Sequence, residues 1–268
     1  DPAMEKNFSI ELVQLEDYRF EAHFDNPAVP VLITDEEAPL GGDAGPNPAR
    51  LLALAVVNCL AASLLFAMRK FKNQPQPLRA VAHVTKGRNA QNRLRITGIA
   101  VELHLGVMAA EVNMLERILG QFEEFCTVTQ SIRAALPVTV QVWAPAVVLG
   151  SALPAGASLD ASMLHLAEVD WGAASTKPFD STDALAGRVL ARPGLPGQTL
   201  RPTDLQARRW FSLGETVQIL GRGAGFAVST EGQALTHGLE GQAARVRTEG
   251  GRVLVGRPVG ERRLEVQL

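Results

Sequence analysis

From Leu51 to Met68 the chain runs without a charged side chain, and this stretch narrows the possible folds more than any other. Asn47-Pro48 stands before it and Arg69-Lys70 after it. That is an N-cap with proline at the first helical position at one end, and cations beside the last carbonyls at the other. One long helix over residues 48–72 is predicted. Its length would allow a membrane span. Its alanine content and the interruptions Asn58, Cys59 and Ser63 point instead to the central helix of a packed domain, with no membrane span.

Such a helix needs sheet against it, and the flanking sequence offers it. Residues 9–24 alternate loosely (Ile10, Leu12, Leu15, Tyr18, Phe20) as one or two strands. Gln74-Pro75-Gln76-Pro77 stops the helix, and β-rich runs at 78–85 and 94–105 are joined by a hairpin signature at 86–92. A second helical region opens near Ala109 and carries Met114, Leu115 and Ile118. After Gly120 it sets a further apolar face of Phe122, Phe125, Cys126, Thr129 and Ile132 as far as Arg133, and a strand follows at 138–142. Beyond Pro145 the texture changes. Short apolar runs alternate with Gly, Pro and Asp, as in an all-β module. Inside it Leu153-Pro154-Ala155-Gly156, continuing to Leu164, is echoed by Leu195-Pro196-Gly197-Gln198, continuing to Leu205. Strand-like runs at 216–220, 225–229, 243–247, 252–255 and 263–267 suggest a small sandwich or barrel.

The 268 residues carry 26 Lys+Arg against 28 Asp+Glu, a net charge of −2, which excludes a polyanion-coating protein. The two cysteines, Cys59 and Cys126, exclude a disulfide framework and any CxxC motif, so thiol chemistry must be assembled by folding. The five histidines lack HxH or HExxH spacing, so no metal centre is expected. Gly221-Arg222-Gly223-Ala224-Gly225-Phe226 precedes a strand and reads as a turn or bulge, not a phosphate loop. Arg79, Lys86, Arg88, Arg93 and Arg95 fall on the hairpin without interleaved aromatics, as a solvated face or dimer contact and not a nucleic-acid site. Arg208-Arg209-Trp210 could anchor a protein partner.

Gly45-Pro46-Asn47-Pro48 leading into Leu51-Leu52-Ala53, then Asn58-Cys59, and later Phe122-Glu123-Glu124-Phe125-Cys126-Thr127-Val128-Thr129-Gln130-Ser131 together resemble the OsmC/Ohr family over residues 7–142. The resemblance implies an α+β fold with a long central helix on a β-sheet, a homodimer, and hydroperoxide reduction by two cysteines. By position Cys59 would attack, Cys126 would resolve and a dithiol would reset the pair, with no cofactor. It also implies an arginine, for which Arg19 is the candidate, and a glutamate near the helix start. Here the helix opens Asn47-Pro48-Ala49-Arg50, so the nearby acids Asp35, Glu36 and Glu37 are the substitutes.

Residues 137–268 resemble a second family, the flagellar P-ring assembly chaperones (FlgA) with their SAF-type β-clip. The matching stretches include Pro137-Val138-Thr139-Val140-Gln141-Val142-Trp143, Leu166-Ala167-Glu168-Val169-Asp170-Trp171 and Gly197-Gln198-Thr199-Leu200-Arg201. The resemblance implies binding of a secreted flagellar ring protein, not catalysis. The expected division is 1–142 OsmC-like, 143–207 SAF-like β-clip and 208–268 a small β domain. Three functions stay open: a thiol peroxidase joined to a binding module, a P-ring chaperone, or a chaperone whose first half is a non-catalytic dimerisation or carrier domain. The opening residues Asp1-Pro2-Ala3-Met4-Glu5-Lys6 lack the basic-then-apolar signal pattern, which implies the cytoplasm. The second likeness implies the periplasm.

Overall fold

The computed structural model describes residues 7–171, 179, 181–223 and 226–267, so the opening segment 1–6 lies outside the described residues. Two compact units divide the chain. The first takes the described residues up to Pro145 together with 168–171, and the second takes 146–167 and the described residues from 179 onward.

In the first unit β1 (Ile10–Glu16), β2 (Arg19–Phe24) and β3 (Leu32–Thr34) form an antiparallel sheet in that order. The turn between β1 and β2 is tight because Asp17 takes a left-handed φ of 46°. Every residue of β1 is exposed.

Helix α1 (Pro48–Lys70) begins as its sequence predicts: the Asn47 side chain accepts from the Arg50 amide at 3.0 Å, and Pro48 occupies the first turn. It ends two residues before the expected limit, because Lys72 turns the chain with a φ of 61°. Ala53, Val56, Leu60, Leu64 and Met68 recur at helical spacing as its buried face. This face packs on strands β4 (Arg79–Arg88) and β5 (Leu94–His104) and on the segments after them. Each fully buried leucine or methionine contributes on the order of 2 kcal/mol. The opposite face is apolar too, with Leu54 57% and Phe66 68% exposed, and by length and composition α1 could cross a membrane.

The second helical region is broken where the sequence suggested near continuity. A 3₁₀ turn at Ala109–Glu111 gives way to α2 (Leu115–Leu119), a further 3₁₀ turn at Phe122–Phe125 and α3 (Thr127–Ile132). Met114, with a φ of 57°, makes the first break. The breaks turn Phe125 out to solvent while Phe122 and Cys126 stay buried, so the apolar face expected over 122–132 is incomplete.

Strand β6 (Val138–Leu149) lies parallel to β5 and runs past Pro145, seven residues beyond the predicted 138–142 end. With β7 (Leu164–Asp170) it completes a sheet ordered β4-β5-β6-β7. Both β6 and β7 carry the chain across the division between the units.

The second unit has two parts. In the first, which includes the short helix α4 (Thr182–Leu185), the sequence repeat becomes a structural one. Gly156 and Gly197 take φ of 83° and 76°, and single 3₁₀ turns follow at Ala161–Met163 and Pro202–Asp204. Leu159 and Leu164 in one copy, Leu200 and Leu205 in the other, are buried. The copies clasp, since Leu153 and Gly194 exchange backbone hydrogen bonds of 3.0 and 2.9 Å.

The second part is a closed barrel of β9 (Thr216–Gly223), β10 (Phe226–Ala234), β12 (Ala244–Thr248), β13 (Val253–Gly260) and β14 (Arg263–Gln267), ordered β10-β12-β13-β14-β9. The β14–β9 pair is parallel and the rest antiparallel. Phe211, Val217, Ile219, Ala234, Val246 and Leu264 form its core. Strands β8 (Arg209–Phe211) and β11 (Gly238–Leu239) pair beside it. An α+β region followed by an all-β module is the fold class the sequence predicted.

Candidate active site

Both cysteines lie in the first unit, on elements that pack together: Cys59 in the middle of α1, Cys126 as the N-cap of α3. Cys59 is half-buried, one residue off the α1 face that carries Val56 and Leu60. Cys126 is fully buried. The Cys126 thiol donates to Thr129 Oγ1 at 3.1 Å. Burial pushes its pKa up. The Thr129 hydrogen bond opposes this, and hydrogen bonding and charge interaction with the Cys59 thiol add to the rise. The fold has thus brought two thiols distant in sequence close enough for Cys59 to add to the rise in the Cys126 pKa.

Arg19, the sequence-predicted cation, is engaged elsewhere. Its Nη1 donates to Glu16 Oε1 at 2.8 Å, and its Nε lies 3.9 Å from Asp35 Oδ2. Neither thiol is among its partners. Asp35 is buried beneath the loop that follows it. Its carboxylate accepts from the amides of Glu36 (2.8 Å), Gly42 (3.1 Å) and Ala44 (3.1 Å). The Ala44 hydrogen bond is the largest influence lowering its pKa. Desolvation opposes it, and the Glu36 and Gly42 amides and the Arg19 charge reinforce it.

Of the other candidate acids, Glu37 reaches the start of α1. It pairs with the Arg50 guanidinium and accepts from Asn47 Nδ2 at 3.5 Å. These three residues and Lys86 line a cavity of about 290 Å³ over the helix N-terminus.

Two clusters were not foreseen from the sequence. His104 is buried on β5 and stacked on Trp143 at 6.2 Å. Its Nδ1 lies 2.5 Å from Glu168 Oε2 and its Nε2 3.2 Å from Glu102 Oε2, while His83 Nε2 approaches Glu102 Oε1 at 3.4 Å. The Glu102–His104 spacing of one strand period was readable; Glu168 was not. In the second unit Arg188 is buried and pairs with Glu240 at 2.6 Å, with the Phe179 ring 5.8 Å below. Arg208 stacks on its own neighbour Trp210 at 5.0 Å. The glycine run at 221–226 connects β9 to β10, and its residues 224–225 lie outside the described residues.

An α+β unit that carries both cysteines on packed elements, followed by an all-β unit built on a clasped repeat and a barrel, is matched by two family models in series. Residues 41–141 match the model described as OsmC-like protein, and residues 144–266 match that described as chaperone for flagella basal body P-ring formation. The chain therefore carries an OsmC-like domain and a FlgA-chaperone-like domain in tandem.

Among curated proteins, the flagella basal body P-ring formation protein FlgA of Salmonella typhimurium (strain LT2) is 36% identical over 74 residues, 28% of this chain and 32% of that protein. The chain matches it over about a third of its length. Among solved structures, Salmonella FlgA in closed form aligns at 15% identity over 78% of this chain and 99% of its own, with a TM-score of 0.40. An organic hydroperoxide resistance protein OsmC from Legionella pneumophila aligns at 15% identity over 51% of this chain and 96% of its own (TM-score 0.42). One from Elizabethkingia anophelis aligns at 18% over 52% and 98% (TM-score 0.41).

Proposed function

We propose that the chain joins a thiol-dependent hydroperoxide reductase, working through Cys59 and Cys126, to a module that binds a flagellar P-ring protein in the periplasm. The observation that supports the first half is that both cysteines sit on packed elements, Cys59 in α1 and Cys126 at the start of α3, with Cys59 adding to the rise in the Cys126 pKa, within a region matching the OsmC-like model. The Cys59 thiolate attacks one oxygen of the peroxide, releasing the alcohol and leaving a sulfenic acid on Cys59. The Cys126 thiol condenses with it to a disulfide and water, and an external dithiol returns both sulfurs to thiols. Arg19 could assist only after exchanging its Glu16 and Asp35 contacts for the reacting sulfur. With cumene hydroperoxide and dithiothreitol, Cys59→Ser should reduce peroxide consumption to background. Consumption unchanged from the parent would overturn the reading.

A second reading has its own support. Burial that raises the Cys126 pKa and the prior engagement of Arg19 both favour an OsmC-like half acting as a non-catalytic dimerisation or carrier domain for a P-ring assembly chaperone. On this reading the Cys59→Ala/Cys126→Ala chain captures ring protein as fully as the parent, and the parent consumes no peroxide.

In both readings the first unit forms a homodimer, α1 is a core helix and not a span, and the roles divide near residues 142 and 207, with residues 143–145 and 168–171 packing in the first unit. The exposure of Ile10, Leu12, Val13 and Leu15 along β1 supports the dimer.

A further inference from the structure

Among the described residues, the outward face of β12 and β13 sets exposed arginines beside exposed valines. On β12 Ala244 and Val246 point into the core while Arg245 and Arg247 point out. The register sets Arg245 opposite Val255 and Arg247 opposite Val253, and Arg257 follows two residues on along β13. Val253 and Val255 are 41% and 58% exposed, so the face is a lattice of guanidinium groups over bare valines. Neighbouring strands lie about 4.8 Å apart and alternate residues on one strand roughly 7 Å apart, so these groups share one patch. Among the described residues none of Arg245, Arg247 and Arg257 forms an ion pair; Glu265, opposite Arg257 in register, is engaged in an interaction of its own. From Arg208 onward lysine does not occur, and apart from His237 every basic side chain is an arginine.

Unpaired arginines interleaved with exposed valines call for a ligand that offers carboxylates and apolar side chains in alternation. The guanidinium fork binds a carboxylate through two parallel hydrogen bonds, which an ammonium cannot do. Arginine, unlike lysine, is enriched where proteins meet. A nucleic acid strand would want aromatic platforms, and a lipid surface would want large apolar anchors. The face offers only valine. The barrel is closed, so a partner meets side chains and not a free strand edge.

We propose that the outward β12–β13 face, centred on Arg245, Arg247 and Arg257 around Val253 and Val255, is the docking surface for an acidic, valine- or leucine-containing segment of a protein partner. This rests on the binding reading of the second unit and names the chemistry of its partner.

The test uses the full chain and a fluorescein-labelled peptide of alternating glutamate and valine, followed by anisotropy at low salt. Arg245→Ser/Arg247→Ser/Arg257→Ser should weaken binding by about tenfold or more, three exposed charge pairs being lost together. The Arg→Lys triple should recover only part of the loss. Val253→Ser/Val255→Ser should also weaken binding. Lys86→Ser/Arg88→Ser/Arg93→Ser on the β4–β5 hairpin, which removes the same charge, should leave it within about twofold. The substituted side chains are exposed, and circular dichroism checks that each variant stays folded.

An equal loss in the hairpin variant, no loss in the β12–β13 variant, or tighter arginine-dependent binding to phosphatidylglycerol vesicles or duplex DNA would overturn the proposal. Ring-protein capture indifferent to the arginine variants would overturn this face and leave the P-ring reading standing. Peptide binding through the face in a chain that captures no ring protein would do the reverse.

Discussion

Burial keeps the proton on Cys126, and the consequence can be followed with pH. An acid whose folded-state pKa exceeds its unfolded value stabilises the fold below the unfolded value. It loses that contribution as pH climbs through the ordinary thiol value of 9.0 toward the raised one. The urea midpoint of the reduced chain should therefore fall on the alkaline side, and fall less steeply in Cys126→Ala. Iodoacetamide should label Cys59 in the folded chain and reach Cys126 only after denaturation. Labelling of Cys126 at the rate of a free thiol at neutral pH would contradict this account. Asp35 runs the other way: its lowered pKa gives stability above the ordinary carboxylate value of 3.8 that is lost as pH falls below it. At this scale the sequence identified which two thiols could meet, because there are only two. It could not place Arg19, whose partners Glu16 and Asp35 are chosen by the β1–β2 turn and the buried loop.

Among the elements, α1 was legible almost to the residue because both ends carry local signals: Asn47-Pro48 at the start and Arg69-Lys70 at the end. The region after Ala109 was less so, since its breaks depend on Met114 adopting a left-handed conformation that no local rule assigns to methionine. The predicted end of β6 was short because Pro145 reads as a strand terminator, yet the chain continues extended through it to Leu149. The clasped repeat gives a direct test at this level. An added Cβ at Gly156 or Gly197 meets nothing within 4 Å, so alanine there is penalised by backbone conformation alone. Gly156→Ala and Gly197→Ala should each destabilise the second unit by about 1–2 kcal/mol, and by the same amount within error, in urea titrations. Clearly unequal losses would argue that the two turns are not structural equivalents.

Across the whole molecule, the texture of the sequence changes after Pro145, where the first unit's main segment ends and three residues beyond the boundary expected after 142, because compact all-β modules need a turn every few residues and the α+β half does not. The return of 168–171 to the first unit was not legible. It rests on Trp171, whose amide donates to the Val142 carbonyl and whose indole donates to that of Ala144, contacts that join residues far apart in sequence. The three tryptophans divide between the units, with Trp143 and the buried Trp171 in the first and the half-buried Trp210 in the second. If Cys59 and Cys126 form a disulfide, the cross-link should stabilise the unfolding reported by Trp171 by up to about 4 kcal/mol and leave that reported by Trp210 unchanged. A shift in both signals would mean that the thiols act beyond their own unit.

The parallel pairing of β14 with β9 has a consequence in time. The barrel closes between its first strand and its last, so while a ribosome is making the module, β9 has a sheet neighbour only on the β10 side. Its other edge stays open until Arg263–Gln267 has been synthesised, and closure spans nearly the full length of the barrel sequence. The newly made chain therefore presents an unpaired strand edge to other nascent chains throughout that interval. A module of this topology depends on rapid completion, or on a companion that shields the edge, during its own synthesis.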